Sequence, residues 1–516
     1  MYKNLRICLI SKPINQSMEK ITPLVLINCK ETFFKMQSFL LIFLCLLSWG
    51  VSIKSYGQSI AKMEIPVTLP GRSEAGVPIP AYSITLSDSM KQPITGWGCF
   101  PGFIDWGATI GFNKELQKDI YGDLGMTVGR VKIYPDYCNP DGSLNTKEID
   151  INLARQIETM QSYGITKWII TTWSPPTFMK TYNDTIGNVN GQPNHLKPEF
   201  EDAFVKFYAK VLAYLRDVKK LGTPVYATIQ NEPDFAANWD GCPYEPDQWQ
   251  RVTKKLRKAL NDENLQMVKI HGTDHNHYTL SKYLGSNLSV LRSDPELLKA
   301  LDGIAFHSYG EGSQSGGNAA VEARDLILKF KNEFKKGNEI WQTENCTVIP
   351  EDLTVSAIRH LRSMMRDIGY LEANCYIYWL GASNRHNYSG EELIFNGTKT
   401  KLYYVFRKLW NSVIPGQFFV NPIIKNENQD LSSFGPDPMD MLSFISKNKT
   451  VVLLANPTTK GRNLTVKGLS GTKSELFRTS ASEDMADIGT LKIDKGELTV
   501  LLPANSVLIL ETNGGK

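Results

Sequence analysis

Two glutamates in the middle of the chain follow short runs of strand-forming residues and could act together on one substrate. Glu232 stands in the segment 228–234, TIQNEPD, and Glu344 ends the segment 340–344, IWQTE. A single glutamate after a strand is usually a solvated loop residue or a helix cap. Two of them at the ends of different strands indicate the carboxyl pair of a glycosidase, in which one protonated group assists the leaving oxygen while one ionised group attacks the sugar or activates water.

The elements that would position this pair alternate between strand and helix. Helical periodicity predicts helices at 199–218, 246–260, 321–335, 353–368 and 399–410. Eight strands are predicted between them, at Ile94–Cys99, Thr127–Ile133, Trp168–Trp173, Val225–Gln230, Met267–Gly272, Gly303–His307, Glu339–Thr343 and Asn374–Trp379. This alternation predicts an α/β fold, a parallel (β/α)8 TIM barrel whose chemistry lies at the C-terminal strand ends.

The pattern changes after Pro415, where short alternating strands are separated by Gly, Pro, Asn and Lys. This is typical of an antiparallel β-sandwich. Residues 65–86 contain similar strands, so we expect N-terminal and C-terminal segments to form one side domain. The predicted parts are an N-terminal extension and signal peptide (1–57), N-terminal sandwich strands (58–92), a catalytic barrel (93–413) and a C-terminal β-sandwich (414–516).

The N-terminal part contains one long apolar run, residues 39–51, FLLIFLCLLSWGV, which follows Lys30 and Lys35. The run is too short to span a membrane, which takes about 20 apolar residues, and it has the form of a signal-peptide core. We therefore expect cleavage after Gly57 and a protein that is secreted, periplasmic or at the cell surface. We expect no integral membrane segment in the mature chain, and Met36 is an alternative start.

Charge and cysteine content narrow the class of protein further. The chain carries 57 Lys and Arg against 53 Asp and Glu, a net charge of +4. A nucleic-acid binder usually concentrates a larger basic excess, so we expect no nucleic-acid partner. The five cysteines beyond residue 57 are odd in number and widely spaced, which indicates buried thiols rather than a disulfide framework or a zinc site. These are Cys99, Cys138, Cys242, Cys346 and Cys375.

A histidine-rich segment at the end of the fifth predicted strand suggests a different enzyme. His271, Asp274, His275 and His277 lie within seven residues, and such groups could hold a metal in a hydrolase. Metal sites in barrels usually draw their ligands from several strands, however. We expect neither a metal nor a cofactor, and substrate contact or loop structure are the other roles open to these residues.

Further motifs accompany the two glutamates in a fixed order. They are GWG at 96–98, WSPP at 173–176 and QNEPD at 230–234. The ordered set resembles glycoside hydrolase family 30 of clan A over residues 90–513. The resemblance implies a retaining mechanism with Glu232 as acid/base and Glu344 as nucleophile.

The resemblance also implies the residues that surround the pair. Arg130 and Tyr309 match family residues that approach the nucleophile, and Asn231 matches the residue that binds the sugar 2-hydroxyl. The remaining predicted substrate-binding residues are Trp173, Trp379, Trp97, His307 and Arg385.

The motif forms are closer to the xylanase branch of the family than to its glucosylceramidase or β-1,6-glucanase branches. Arg385 lies in the loop after strand eight, where the glucuronoxylan-specific enzymes carry an Arg that reads the acidic side group. The family's local pattern is not reproduced there, so the sequence does not establish that the enzyme requires a glucuronate side group on its substrate. We expect a monomeric, secreted, retaining endo-β-glycanase acting on a polysaccharide, with endo-β-1,4-xylanase favoured. The alternatives are a β-1,6-glucanase, an exo-acting β-glycosidase and a catalytically silent carbohydrate-binding protein.

Overall fold

Eight parallel strands close into a barrel in chain order, as the alternating pattern predicts. The barrel strands are Gly96–Phe100, Val128–Ile133, Lys167–Thr172, Tyr226–Ala227, Lys269–His275, Gly303–His307, Ile340–Glu344 and Cys375–Trp379. The structure, a computed structural model, describes residues 79, 81–102, 113–276, 280–309, 318–334, 339–346, 352–384, 390–425 and 439–514. These residues all belong to one compact unit, Ile65–Lys516.

The long helices follow the barrel strands and cover the barrel with their apolar stripes. In Glu201–Asp217 the residues Phe204, Tyr208, Leu212 and Leu215 recur at helical spacing and are all buried. The other long helices are Pro246–Asp262, Asn318–Phe334, Leu353–Gly369 and Lys401–Ser412. All five predicted helices are therefore confirmed to within a few residues.

Shorter elements fill the connections. The short helical segments are Lys114–Gln117, Lys118–Asp123, Pro135–Tyr137, Thr146–Ile149, Asp150–Ala154, Arg155–Ser162, Thr177–Met179, Pro198–Phe200, Leu280–Leu284, Ser286–Leu288, Ser289–Ser293 and Pro295–Ala300. Two-residue strands occur at Asn188–Val189, Gln192–Pro193, Ala382–Ser383, Ile394–Phe395 and Thr398–Lys399. No helix among the described residues has the length and apolar character that a membrane crossing requires.

The barrel interior is divided into an apolar floor and a polar layer above it. Val128, Tyr226, Trp341 and Ile377 belong to a separate buried cluster inside the barrel. The strands can approach closely because glycine replaces larger residues where they meet. A Cβ on Gly98, for example, would lie 2.1 Å from the carbonyl oxygen of Val128. The floor thus leaves the C-terminal strand ends to the polar residues of the candidate site.

The side domain is a sandwich of two sheets to which both ends of the described chain contribute. Its four-stranded sheet runs in the order Ile423–Lys425, Ala81–Leu86, Arg462–Lys467, Glu497–Leu502. Its six-stranded sheet runs in the order Phe419–Asn421, Asp440–Ile445, Thr450–Asn456, Ser506–Thr512, Lys473–Ser480, Glu483–Lys492. The discontinuous sandwich is confirmed.

One pairing departs from the antiparallel prediction. Ala81–Leu86 lies antiparallel to Ile423–Lys425 but parallel to Arg462–Lys467. The N-terminal strand therefore inserts between two C-terminal strands, and its Ile84 is fully buried in the sandwich core. The predicted extension and signal peptide, 1–57, lie outside the described residues.

All five cysteines of the barrel are free and buried, which confirms the prediction of buried thiols. Burial raises the pKa of Cys138 and of Cys242 to about 11. These thiols are therefore weak nucleophiles at neutral pH.

Trp97 has a different place from the one predicted for a sugar-binding residue. It is the second residue of its strand, so it lies away from the C-terminal strand end, and it is fully buried. Its ring stacks on Trp410 at 6.3 Å and meets the edge of Phe444, while its Nε1 donates to the carbonyl of Val413 at 2.6 Å. The prediction for Trp97 is wrong because the ring packs between the last barrel helix and the sandwich.

In this position Trp97 should stabilise the folded protein. We expect Trp97→Ala to lower the free energy of unfolding by ~3–5 kcal/mol, the usual range for large-to-small aromatic changes in a core. The measurement is chemical denaturation followed by fluorescence or circular dichroism. Trp239→Ala is the matched control, since Trp239 is 54% exposed and its loss should change stability by only ~0.5 kcal/mol. Equal effects of the two substitutions would contradict the placement.

Candidate active site

Arg130 occupies the centre of the polar layer at the C-terminal end of the barrel. It lies on the second strand, and its guanidinium is buried. One terminal nitrogen donates to Glu344, and the other donates to Asn231 Oδ1 at 2.7 Å and to Asp274 Oδ2 at 3.2 Å. A buried guanidinium stays charged and requires such partners. Arg130 therefore binds residues from three other strands or strand ends.

Glu344 is the last residue of the seventh strand and is buried. Its Oε2 accepts from Arg130, and its Oε1 accepts from the Tyr309 hydroxyl at 3.0 Å. Burial raises the pKa of Glu344, while the positive charges of His307 and Arg130 oppose that rise. The direct donors all stabilise the ionised carboxylate, which is the form a nucleophile needs.

Glu232 follows the fourth strand and faces the same space. Its φ of +47° lies in the left-handed region that residues other than glycine rarely adopt. Its backbone N–H donates to the Asp274 carbonyl at 2.9 Å, which holds that conformation. On the side chain, Oε1 accepts from the amide nitrogen of Asn276 and lies 3.0 Å from His307 Nδ1. Such backbone strain, held by surrounding contacts, is typical of functional sites.

His307 stands between the two glutamates at the end of the sixth strand. Its Nδ1 lies 3.0 Å from Glu232 and 3.9 Å from Glu344, and its Nε2 lies 3.3 Å from Asp274 Oδ1. Burial lowers its pKa, but Glu344 and Asp274 more than offset burial and raise the pKa of His307 to about 10. At neutral pH the ring is an imidazolium that donates from both nitrogens.

Asp274 is the residue of this cluster whose role the sequence analysis missed. It accepts from the Thr228 hydroxyl at 2.9 Å and from the Thr343 hydroxyl at 2.5 Å, besides its ion pairs with Arg130 and His307. Burial alone would raise the pKa of Asp274, but the two cations lower it below the ordinary value. Asp274 is thus an ionised carboxylate that fixes the two positive groups.

The tryptophans predicted as the floor of the site lie next to Arg130. The guanidinium carbon is 4.7 Å from the ring centroid of Trp173. Trp173 is 6.1 Å from Trp379, and Phe100 stacks on Trp379 at 4.8 Å. Phe100 joins this wall although no motif pointed to it. It is the last residue of the first barrel strand, and that position is the signal that could have found it.

No protein-family model and no curated protein sequence matches the chain. Among solved structures, a GH30 endoxylanase from Clostridium papyrosolvens C71 superposes with a TM-score of 0.66 at 18% identity, covering 84% of this chain and 100% of its own.

Two further structures superpose over a similar length. The endo-β1,6-glucanase BT3312 gives a TM-score of 0.57 at 17% identity over 85% of this chain and 94% of its own. A monomeric β-xylosidase from Caulobacter crescentus CB15 gives a TM-score of 0.57 at 13% identity, covering 84% of this chain and 100% of its own. The fold is that of glycoside hydrolase family 30. The superposed length includes both the barrel and the side sandwich, as the resemblance in the motifs implied.

Eight of the ten predicted site residues meet at one end of this family 30 fold. They are Arg130, Asn231, Glu232, His307, Tyr309, Glu344, Trp173 and Trp379. Trp97 is the exception described above, and Arg385 lies outside the described residues. The motifs therefore predicted most of the residues around Arg130. Asp274 and Asn276 were not among them, because they lie in the segment that suggested a metal site.

The described histidines of the histidine-rich segment do not converge on one point. His271 packs inside the barrel with its ring 3.5 Å from that of Tyr226, and His275 hydrogen-bonds Thr273. His277 lies outside the described residues. Among the described residues of this segment, Asp274 pairs with Arg130 and His307, and Asn276 donates to Glu232.

The two glutamates and the histidine between them could also be considered as metal ligands. One oxygen of Glu232, one oxygen of Glu344 and one ring nitrogen of His307 lie within 4.8 Å of one another. Arg130 already neutralises Glu344, and a protonated His307 has no lone pair to offer a metal. The charge of the cluster fits proton transfer better than cation binding.

The raised pKa of His307 depends on the neighbouring carboxylates, so removal of one should lower it. We expect Asp274→Asn to lower the pKa of His307 from about 10, because a nearby negative charge favours the imidazolium. The measurement is NMR titration of the His307 ring. Asp240→Asn is the matched control, since Asp240 pairs with Lys132 at 2.7 Å outside the cluster. Titration of His307 near 6.5 in the unmodified protein would contradict the charge assignment.

Proposed function

We propose that the protein is a retaining glycoside hydrolase of family 30 that cleaves a β-linked polysaccharide by double displacement. The separation of the carboxyl groups carries this proposal, because oxygens of Glu232 and Glu344 approach within 4.8 Å. Retaining enzymes hold their carboxyl groups about 5–5.5 Å apart, whereas inverting enzymes leave about 6.5–9.5 Å for a water molecule. The pair is therefore spaced for direct attack on the sugar.

In the first step Glu344 attacks the anomeric carbon while the glycosidic bond breaks. Glu232 gives its proton to the leaving oxygen, so that the leaving sugar departs as a neutral alcohol. A covalent bond forms between the anomeric carbon and Glu344. Arg130 and Tyr309 keep Glu344 ionised before the attack and hold its oxygens in position.

In the second step water replaces Glu344. Glu232, now ionised, takes a proton from the water as its oxygen bonds to the anomeric carbon, and Glu344 leaves as a carboxylate. His307 lies within reach of Glu232, where its imidazolium stabilises the negative charge that Glu232 carries between the steps. Asn231 has its amide oxygen bound to Arg130, which leaves the amide nitrogen to donate to the sugar 2-hydroxyl.

For the substrate we propose β-1,4-xylan with endo action. The motif forms QNEPD and WSPP favour this choice, and one similar structure is named as an endoxylanase. Other similar structures are named as an endo-β1,6-glucanase and a β-xylosidase, so β-1,6-glucan cleavage and exo action are the alternative outcomes. A carbohydrate-binding protein without activity is disfavoured by the complete carboxyl pair.

We also propose that the chain is exported. The apolar run at 39–51, preceded by lysines, supports this. N-terminal sequencing of the protein recovered outside the cytoplasm should begin at Gln58, and a start at Met1 would contradict export.

Product analysis on a panel of substrates tests the activity and its specificity together. We expect xylo-oligosaccharides of mixed length from neutral, arabinosylated or glucuronylated xylan, and no release from β-1,6-glucan. Glu344→Gln should lower kcat by about four or more orders of magnitude, since no other group can form the intermediate. Glu232→Gln should lose activity on xylan but regain turnover of an activated aryl glycoside when azide is added.

Leu501→Ala, on the exposed face of the sandwich, is the matched control and should retain full activity. Normal activity of Glu344→Gln would refute the mechanism. Release of only monosaccharide from chain ends would replace endo with exo action.

A further inference from the structure

Trp239 differs from the other tryptophans that the structure describes because it is exposed. Its exposed fraction is 54%, whereas the others are buried: Trp97, Trp168, Trp173, Trp249, Trp341, Trp379 and Trp410. Phe235 is 37% exposed, and its ring lies 5.6 Å from that of Trp239. We call this pair the aromatic lip. Large apolar rings gain free energy on burial, so an exposed pair beside an active site indicates a surface that a ligand covers.

The lip begins at the proposed acid/base itself. Phe235 and Trp239 follow Glu232 by three and seven residues in the loop after the fourth strand. The backbone N–H of Phe235 donates to the carbonyl of Glu232 at 3.1 Å. Both aromatic residues therefore belong to the loop that begins at Glu232.

Two buried lysines brace the loop that carries the lip. Lys132 Nζ pairs with Asp240 at 2.7 Å, and Lys180 Nζ donates to the carbonyl of Gly241 at 2.6 Å. Lys180 also donates to the carbonyl of Thr185 at 2.8 Å, which joins the loops after the third and fourth strands. A ring held on a braced loop loses little conformational entropy when a ligand binds.

Lys132 also connects the aromatic lip to Trp173. Lys132 Nζ is 5.3 Å from the ring centroid of Trp173, the tryptophan beside Arg130. The backbone N–H of Gly187 donates to the carbonyl of Trp239 at 3.0 Å, so the third loop also holds the backbone of the lip. Lys132 thus links Trp173 to the loop that carries the lip.

We propose that Phe235 and Trp239 form a stacking platform for the sugar on the leaving-group side of the cleaved bond. This inference rests on the proposed function. Because Glu232 must reach the leaving oxygen, the sugar that owns this oxygen lies on the Glu232 side, where the lip begins. The ligand is a β-linked pyranose unit, whose C–H face packs on an aromatic ring while its hydroxyl groups face water.

The platform would make the enzyme depend on a polymeric substrate. Binding energy from a sugar that does not react can be used to orient the bond that does, so loss of that sugar's contacts lowers kcat/KM. A substrate with a small leaving group does not use the platform. This difference separates a binding role of Trp239 from a structural one.

The test compares Trp239→Ala and Trp239→Phe with the unmodified enzyme on two substrates. The first is beechwood xylan, and the second is β-xylobiosyl fluoride, whose leaving group is a single fluoride ion that cannot stack. We expect Trp239→Ala to lower kcat/KM about ten-fold or more on xylan, as truncation of an aromatic anchor usually does. On the fluoride the change should stay within about two-fold, and Trp239→Phe should restore most of the activity on xylan.

Leu501→Ala serves as the control for loss of an exposed apolar side chain far from the barrel mouth. Unchanged kcat/KM of Trp239→Ala on xylan would overturn the platform, and so would an equal loss on both substrates. Failure of the unmodified enzyme on both substrates would instead refute the proposed function, and the platform with it.

Discussion

The site depends on one buried charge, the guanidinium of Arg130. Because this group cannot lose its proton, its burial requires carboxylates, and Asp274 and Glu344 supply them. His307 adds a second positive charge, which lies 3.0 Å from Glu232, 3.3 Å from Asp274 and 3.9 Å from Glu344. The two cations, Arg130 and His307, thus balance the carboxylates of Asp274 and Glu344.

The barrel makes this balance possible because its strand ends converge. Arg130 comes from strand two, Asp274 from strand five, His307 from strand six and Glu344 from strand seven. Below them Tyr226 and Trp341 are buried in the barrel interior, where a low dielectric constant strengthens the ion pairs. The hydroxyl groups of Thr228 and Thr343 satisfy the remaining lone pairs of Asp274.

The fold and most of the candidate site residues were predictable because periodicity and position at a strand end are local features. The eight barrel strands and five helices follow directly from them, and family motifs located Glu232, Glu344 and Arg130. Asp274 was missed because its role depends on charged residues from other strands. The histidines next to it in the sequence suggested a metal site instead. Trp97 was misplaced because a GWG motif does not show which end of the strand it occupies. The hairpin strand Glu483–Lys492 was only partly predicted, since its half-exposed residues give little apolar alternation.

In the proposed mechanism, Glu344 forms a covalent bond to the sugar while Glu232 moves the proton. The most direct measurement is intact-mass and peptide-mapping mass spectrometry after reaction with an activated 2-deoxy-2-fluoro β-xylobioside, which slows the second step more than the first. We expect one adduct per chain, bound to Glu344. An adduct on Glu232, or turnover without an adduct and with inversion at the anomeric carbon, would contradict it.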